Sequence, residues 1–107
     1  MNITELGKSK TLITVEITEY MPHSVVSRTI LRKSSGNVTV VSFDSGEGLI
    51  EKTSPLDTFV QIIDGEADMI IDGKSNLLMT GQSIVIPANA TSLINPNGRF
   101  KMIQTLI

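Results

Sequence analysis

Pairs of turn-forming residues divide this chain into short segments, and they limit its fold more than any other feature. An aspartate or asparagine precedes a glycine at Asp64-Gly65, Asp72-Gly73 and Asn97-Gly98, and the first two pairs lie eight residues apart. Such pairs tolerate the positive φ angles of tight hairpin turns. Between them run β-branched residues in period-two alternation, for example in residues 38–43, and this pattern favours strands. We therefore predict an all-β protein.

Eight segments have the alternation or the β-branched content of strands. They are residues 11–17, 25–31, 38–43, 58–63, 67–71, 83–86, 91–94 and 100–106. A helical apolar stripe longer than about two turns is absent, and residues 2–10 are expected to form at most one short helix or turn. Many short strands indicate a sandwich or a closed barrel. Composition and periodicity alone leave an immunoglobulin-like sandwich and a jelly roll as alternatives.

Length, cysteine content and charge exclude several classes of protein. A chain of 107 residues predicts one domain, and the absence of cysteine excludes disulfides, thiolate metal sites and cysteine nucleophiles. A net charge of -2 gives no long-range attraction for nucleic acid. The apolar stretches are too short to span a bilayer, and the N-terminus lacks the apolar core of a signal peptide. We expect a soluble cytoplasmic protein with neither nucleic acid nor membrane as a partner.

Glycines and a proline form a spaced frame in the second half of the chain. Gly46 and Gly65 bracket one part, and Gly81 and Pro87 begin another. The first part has the intervals of G-x5-H-x-H-x3-E-x6-G, and the second begins like G-x5-P-x-G-x2-H-x3-N, which are the two motifs of the cupin family. The other positions of the two motifs hold Lys52, Ser54, Thr58, Asn89, Ser92 and Pro96.

The sequence therefore resembles a small, single-domain, RmlC-like cupin. This resemblance implies a double-stranded β-helix, or jelly-roll barrel, over residues 1–107. The barrel motifs would lie in residues 42–107, and residues 1–41 would supply flanking strands. The family also leads us to expect a homodimer, because the edge strands of small open sheets invite pairing.

The positions that bind metal in cupins hold other residues in this chain. The resemblance assigns the two histidines and the glutamate of the first motif to Lys52, Ser54 and Thr58, and the histidine of the second to Ser92. Hydroxyl groups and an ammonium group are poor ligands for a divalent transition metal. The single histidine, His23, lies outside both motifs. We predict a cupin that has lost its metal-binding residues and uses no cofactor.

Strand alternation predicts which side chains share the inner face of the barrel. If Thr58 points inward, Val60 and Ile62 follow it, whereas Phe59 and Ile63 face outward. The predicted pocket has polar side chains at its mouth and an aliphatic floor. The candidate ligand-binding residues are Lys52, Ser54, Thr58, Val60, Ile62, Ser92 and Ile94.

Three functional hypotheses follow from this pocket. In the first, which we adopt, the barrel binds a small organic ligand without catalysis. In the second, the protein is a metal-independent isomerase or lyase. Lys52 would be desolvated inside the barrel and act as a nucleophile or base, with Asp57 as an assisting group. In the third, the barrel is filled by its own side chains, and outward-facing apolar residues such as Phe59 and Ile63 make a dimeric scaffold.

Overall fold

The computed structural model describes residues 7–48 and 51–107. Within these residues a short 3-10 helix, Thr14–Glu16, precedes eight strands. The strands are β1 (Val25–Lys33), β2 (Gly36–Phe43), β3 (Thr58–Asp64), β4 (Glu66–Ile71), β5 (Lys74–Met79), β6 (Ser83–Ile86), β7 (Ser92–Pro96) and β8 (Phe100–Leu106). No helix in the described part of the chain is long and apolar enough to cross a membrane.

The strands form two sheets whose inner faces enclose one core. The larger sheet has the order β1-β2-β8-β3-β6, and the smaller has the order β5-β4-β7; every pairing is antiparallel. Val60 and Met102 of the larger sheet belong to the same buried cluster as Met69 and Leu78 of the smaller one. The all-β jelly-roll prediction is confirmed.

The predicted turn pairs connect the strands as expected. Asp72 and Gly73 both have positive φ angles, 48° and 81°, and they form the two-residue loop of the β4–β5 hairpin. Positive φ at both central residues is the signature of a type I′ turn, whose twist matches that of the flanking strands. Gly65, at a φ of 83°, lies between β3 and β4.

The inward and outward faces of β3 alternate as the sequence predicts. Thr58, Val60 and Ile62 are buried, whereas Phe59 is 39% exposed. At one end of the core the rings of Phe43 and Phe100 stack with their centroids 4.5 Å apart. Period-two alternation therefore gives the correct orientation of this strand.

The strand predicted at residues 11–17 is wrong. Its place is taken by irregular chain and by the 3-10 helix Thr14–Glu16. The Lys101 ammonium on β8 donates hydrogen bonds to the carbonyl oxygens of Val15 and Thr18, and Thr18 also bonds the Ser42 hydroxyl. These contacts hold the segment against the outer face of the larger sheet, so its backbone bonds to a side chain rather than to a neighbouring strand.

Two further differences concern local pattern. Strand β5 was not predicted, because the run Leu77-Leu78-Met79 lacks both alternation and β-branched residues; its pairing with β4 comes from the hairpin. The short helix or turn expected at residues 2–10 lies mainly outside the described residues, and Lys8 and Ser9 occupy a turn.

Candidate ligand-binding cavity

A cavity of about 620 Å³ lies between the two sheets. Its apolar lining includes Val60 and Met102 of the larger sheet and Met69 and Ile94 of the smaller sheet. Polar residues of the connection between β2 and β3, among them Glu47, Lys52 and Ser54, also line it, and we refer to this exposed side of the cavity as its mouth. A concave, largely apolar space with a few polar groups is the usual form of a small-molecule site.

Six of the seven candidate residues line this cavity. They are Lys52, Ser54, Thr58, Val60, Ser92 and Ile94. The prediction for Ile62 needs correction, because it is fully buried but is not among the lining residues. It belongs to the buried hydrophobic cluster, as do Phe100 and Leu78, which also do not line the cavity.

Backbone hydrogen bonds fix the mouth of the cavity. Lys52 and Ser92 exchange two bonds of 2.8 Å each, which places the Lys52 segment beside strand β7. The Asn89 amide donates to the Ser54 carbonyl oxygen at 2.7 Å. Asn89 has a φ of 68°, a left-handed conformation that asparagine tolerates better than most residues. The polar groups at the mouth are therefore held by backbone contacts from two sides.

Asp57 has a structural role next to this mouth. Its carboxylate accepts a hydrogen bond from the Ala88 amide at 2.8 Å, and its backbone exchanges two bonds of 3.0 Å with Ile107. Asp57 is not among the lining residues. Its bonds therefore tie the β2–β3 connection to the β6–β7 connection and to the residue after β8. Its carboxylate does not face the space where a ligand would sit.

The cavity mouth carries one positive and one negative side chain, Lys52 and Glu47. Lys52 is exposed, and among the described residues neither side chain has an ion pair or hydrogen bond. Lys52 therefore reaches water at the mouth and is not enclosed by apolar groups, so the desolvation that the enzyme hypothesis requires is not met. Its ammonium remains free to meet a group on an incoming molecule.

The residues at the four cupin metal positions do not fit a metal. The Ser54 hydroxyl already accepts a hydrogen bond from the Leu56 amide at 3.1 Å, and Thr58 and Ser92 offer only further neutral hydroxyls. Across residues 7–48 and 51–107 there is no group of three or more His, Cys, Asp or Glu side chains placed to hold a metal ion. His23 is exposed and lies outside the cavity lining.

Several lining residues were missed from the sequence. Ser27, Thr39 and Gln104 contribute polar groups from β1, β2 and β8. The cupin motifs do not include these strands, so the spacing frame gave no reason to select them. Alternation in residues 100–106 was an available signal, because it places Met102 and Gln104 on one face.

Comparison with known proteins gives matches among solved structures. No protein-family model matches the sequence, and no curated protein is significantly similar to it. A conserved protein of unknown function from Streptococcus pyogenes is 26% identical with a TM-score of 0.90, and the match covers 100% of this chain and 94% of that one. A cupin superfamily protein from Desulfitobacterium hafniense is 25% identical with a TM-score of 0.89, covering 100% and 98%.

More distant structures have the same fold. An RmlC-like cupin from Shewanella frigidimarina is 17% identical with a TM-score of 0.75, and the match covers 92% of this chain and 90% of that one. The two-sheet topology, the spacing frame and the likeness over the whole chain agree with one another. The chain has the fold of the small cupins.

Proposed function

We propose that this protein binds a small organic ligand inside its barrel, without a metal ion and without catalysis. The cavity of about 620 Å³ is the observation that supports this function, since it provides room for a molecule with a substantial apolar body. The exposed ammonium of Lys52 at the mouth suits a ligand that also carries an anionic group, such as a carboxylate.

The arrangement of the mouth favours binding over a passive barrel or an enzyme. Open space beside Val60 and Met69 is inconsistent with a barrel filled by its own side chains. An enzyme using Lys52 and Asp57 would need both groups to face the ligand, and Asp57 bonds the Ala88 amide outside the lining. Backbone hydrogen bonds already order the mouth, so less conformational entropy is lost when a ligand binds.

A calorimetric titration with 2-naphthoate tests this function. The probe combines an apolar bicyclic body with a carboxylate, and we expect saturable binding at one site per chain. Replacing Lys52 by Met should raise the Kd about two- to five-fold, the range expected for one partly exposed ion pair. Glu47→Gln should lower the Kd, because it removes a negative charge from the mouth.

Lys74→Met is the matched control, because Lys74 is an exposed lysine on β5 outside the lining residues. It should leave the Kd unchanged. If the wild-type protein gives no saturable heat at millimolar probe, the proposed function is wrong. If binding occurs but Lys52→Met and Lys74→Met have equal Kd values, the cavity remains a binding site and the role of Lys52 is refuted.

A further inference from the structure

A polar side chain occupies the middle of the cavity's larger wall. Gln104 lies on β8, the third of five strands in the order β1-β2-β8-β3-β6. Its direct cross-strand neighbours are Thr39 on β2 and Val60 on β3, and both also line the cavity. The smaller sheet contributes the apolar side chains of Met69 and Ile94 to the same space. Gln104 thus places a carboxamide in surroundings that are otherwise largely apolar.

The carboxamide of Gln104 has no hydrogen-bond partner among the described residues. The hydroxyl of its neighbour Thr39 donates instead to the Asn37 side-chain oxygen, at 3.3 Å. Gln104 is only half-buried because it borders the open cavity. No buried side-chain nitrogen or oxygen among the described residues lacks a partner, so the Gln104 amide is open to the cavity space. A ligand that displaces water there must supply hydrogen bonds in its place.

A glutamine side chain offers one acceptor and one donor group in the same plane. It therefore pairs by two hydrogen bonds with a molecule that presents a donor and an acceptor side by side, as in the pairing of Gln with the donor–acceptor edge of adenine. Primary carboxamides and lactams have such an edge. A ligand with an acceptor alone would satisfy only half of the Gln104 amide.

We propose that Gln104 determines the specificity of the cavity by pairing with a carboxamide or lactam edge of the ligand. This inference rests on the proposed function, and it adds a neutral recognition point on the wall to the charged one at the mouth. The apolar side chains of Met69, Ile94 and Met102 would contact the body of the ligand beside that pair. A site built to pair such an edge discriminates strongly against analogues that lack it.

Two probes of nearly equal shape test the inference. Benzamide has the donor–acceptor edge, and acetophenone replaces the amide nitrogen with a methyl group. Their Kd values can be measured by NMR titration of the wild-type protein and of Gln104→Leu. We expect the wild-type protein to bind benzamide about five- to twenty-fold more tightly, as one good hydrogen bond would provide. In Gln104→Leu the two Kd values should become equal.

The ligand-free proteins provide a second readout. Leucine replaces an amide that is open to the cavity with an apolar group of similar size, so the melting temperature of Gln104→Leu should stay within about 4 °C of the wild-type value, which shows that the variant folds. Thr105→Val is the matched control, because its side chain lies on the opposite face of β8 and outside the lining. It should leave the preference for benzamide intact.

The outcomes separate this inference from the proposed function. Equal binding of both probes by the wild-type protein, or a preference that survives in Gln104→Leu, would overturn the role of Gln104 while the cavity remained a ligand site. If neither probe binds at millimolar concentration and 2-naphthoate does not bind either, the proposed function falls together with the inference.

Discussion

Gly65 occupies a close backbone approach at the β3–β4 turn. A Cβ atom at this position would lie 2.6 Å from the carbonyl oxygen of Arg99 and 3.1 Å from Phe100, and the φ angle of 83° is one that other residues rarely adopt. Both the lack of space and the backbone conformation therefore require glycine. This contact joins the turn to the start of β8, beside the stacked rings of Phe43 and Phe100.

Gly65→Ala should lower the free energy of unfolding by about 2 kcal/mol, because the new methyl group meets backbone atoms that cannot move aside cheaply. Urea denaturation followed by circular dichroism measures this change. Gly73→Ala is the control, since Gly73 shares the positive φ but has nothing within 4 Å of the added Cβ. Equal losses in the two variants would show that φ alone, and not the contact with Arg99, explains the effect.

At the scale of elements, the N-terminal strap (residues 14–20) is held by side chains rather than by strand pairing. Lys101 is 9% exposed, and its ammonium bonds the carbonyl oxygens of Val15 and Thr18. The Tyr20 hydroxyl donates to Asp64 at 2.6 Å, and the Arg99 guanidinium lies 4.4 Å from the centre of the Tyr20 ring. Burial, reinforced by the Asp64 bond, raises the pKa of Tyr20, so the phenol keeps its proton.

Lys101→Met should release the strap. Methionine retains much of the apolar stem but leaves two carbonyl oxygens without their charged donor, so we expect a loss of about 2 kcal/mol in the free energy of unfolding. Amide hydrogen exchange should rise selectively in residues 14–20. The exposed Lys74→Met should change stability by less than about 0.5 kcal/mol. Unchanged stability and exchange in Lys101→Met would contradict this account of the strap.

Turn chemistry explains which elements could be predicted from the sequence. Asp72-Gly73 requires a particular backbone conformation whatever surrounds it, so the hairpin it forms could be located from local residues alone. Residues 11–17 also alternate, but alternation produces a strand only where a neighbouring strand supplies hydrogen bonds. Here Lys101, more than eighty residues away in sequence, donates instead to the carbonyl oxygens of Val15 and of Thr18 just beyond that segment. Such a long-range contact has no signature in the local pattern.

At the scale of the whole molecule, the site residues that the sequence predicts are those that belong to the spacing frame. Lys52, Ser54, Thr58 and Ser92 lie at fixed intervals from glycines that set the backbone, and all four line the cavity. Gln104 lies outside the frame, and only the pairing of β8 between β2 and β3 brings it to the cavity wall. Alternation correctly puts Ile62 on the inner face of its strand. It does not give the depth along the barrel at which side chains fill the interior, and Ile62 lies in the filled part.

Filling the cavity tests whether ligand binding requires its open volume. Ile94 lines the cavity and packs partly against the core, so Ile94→Phe would place a ring in open space. The free energy of unfolding should stay constant or rise by up to about 1 kcal/mol, as in other cavity-filling substitutions. The Kd for 2-naphthoate should increase by about tenfold or more, because the ring occupies the volume that the ligand needs.

Val85→Phe is the control for this substitution. Val85 is 57% exposed on the outer side of β6, opposite Phe59, and the same added ring there cannot enter the cavity. Its Kd for 2-naphthoate should equal that of the wild-type protein. A comparable loss of affinity in Val85→Phe, or full affinity in Ile94→Phe, would place the binding site outside the barrel.

The most direct test of ligand binding in the barrel is an NMR titration of ¹⁵N-labelled protein with 2-naphthoate. We expect saturable shifts centred on the amides of Lys52, Thr58 and Ser92, which line the cavity near its mouth. Shifts concentrated on the exposed outer pair Phe59 and Val85, or no saturable shifts at all, would contradict binding in the barrel.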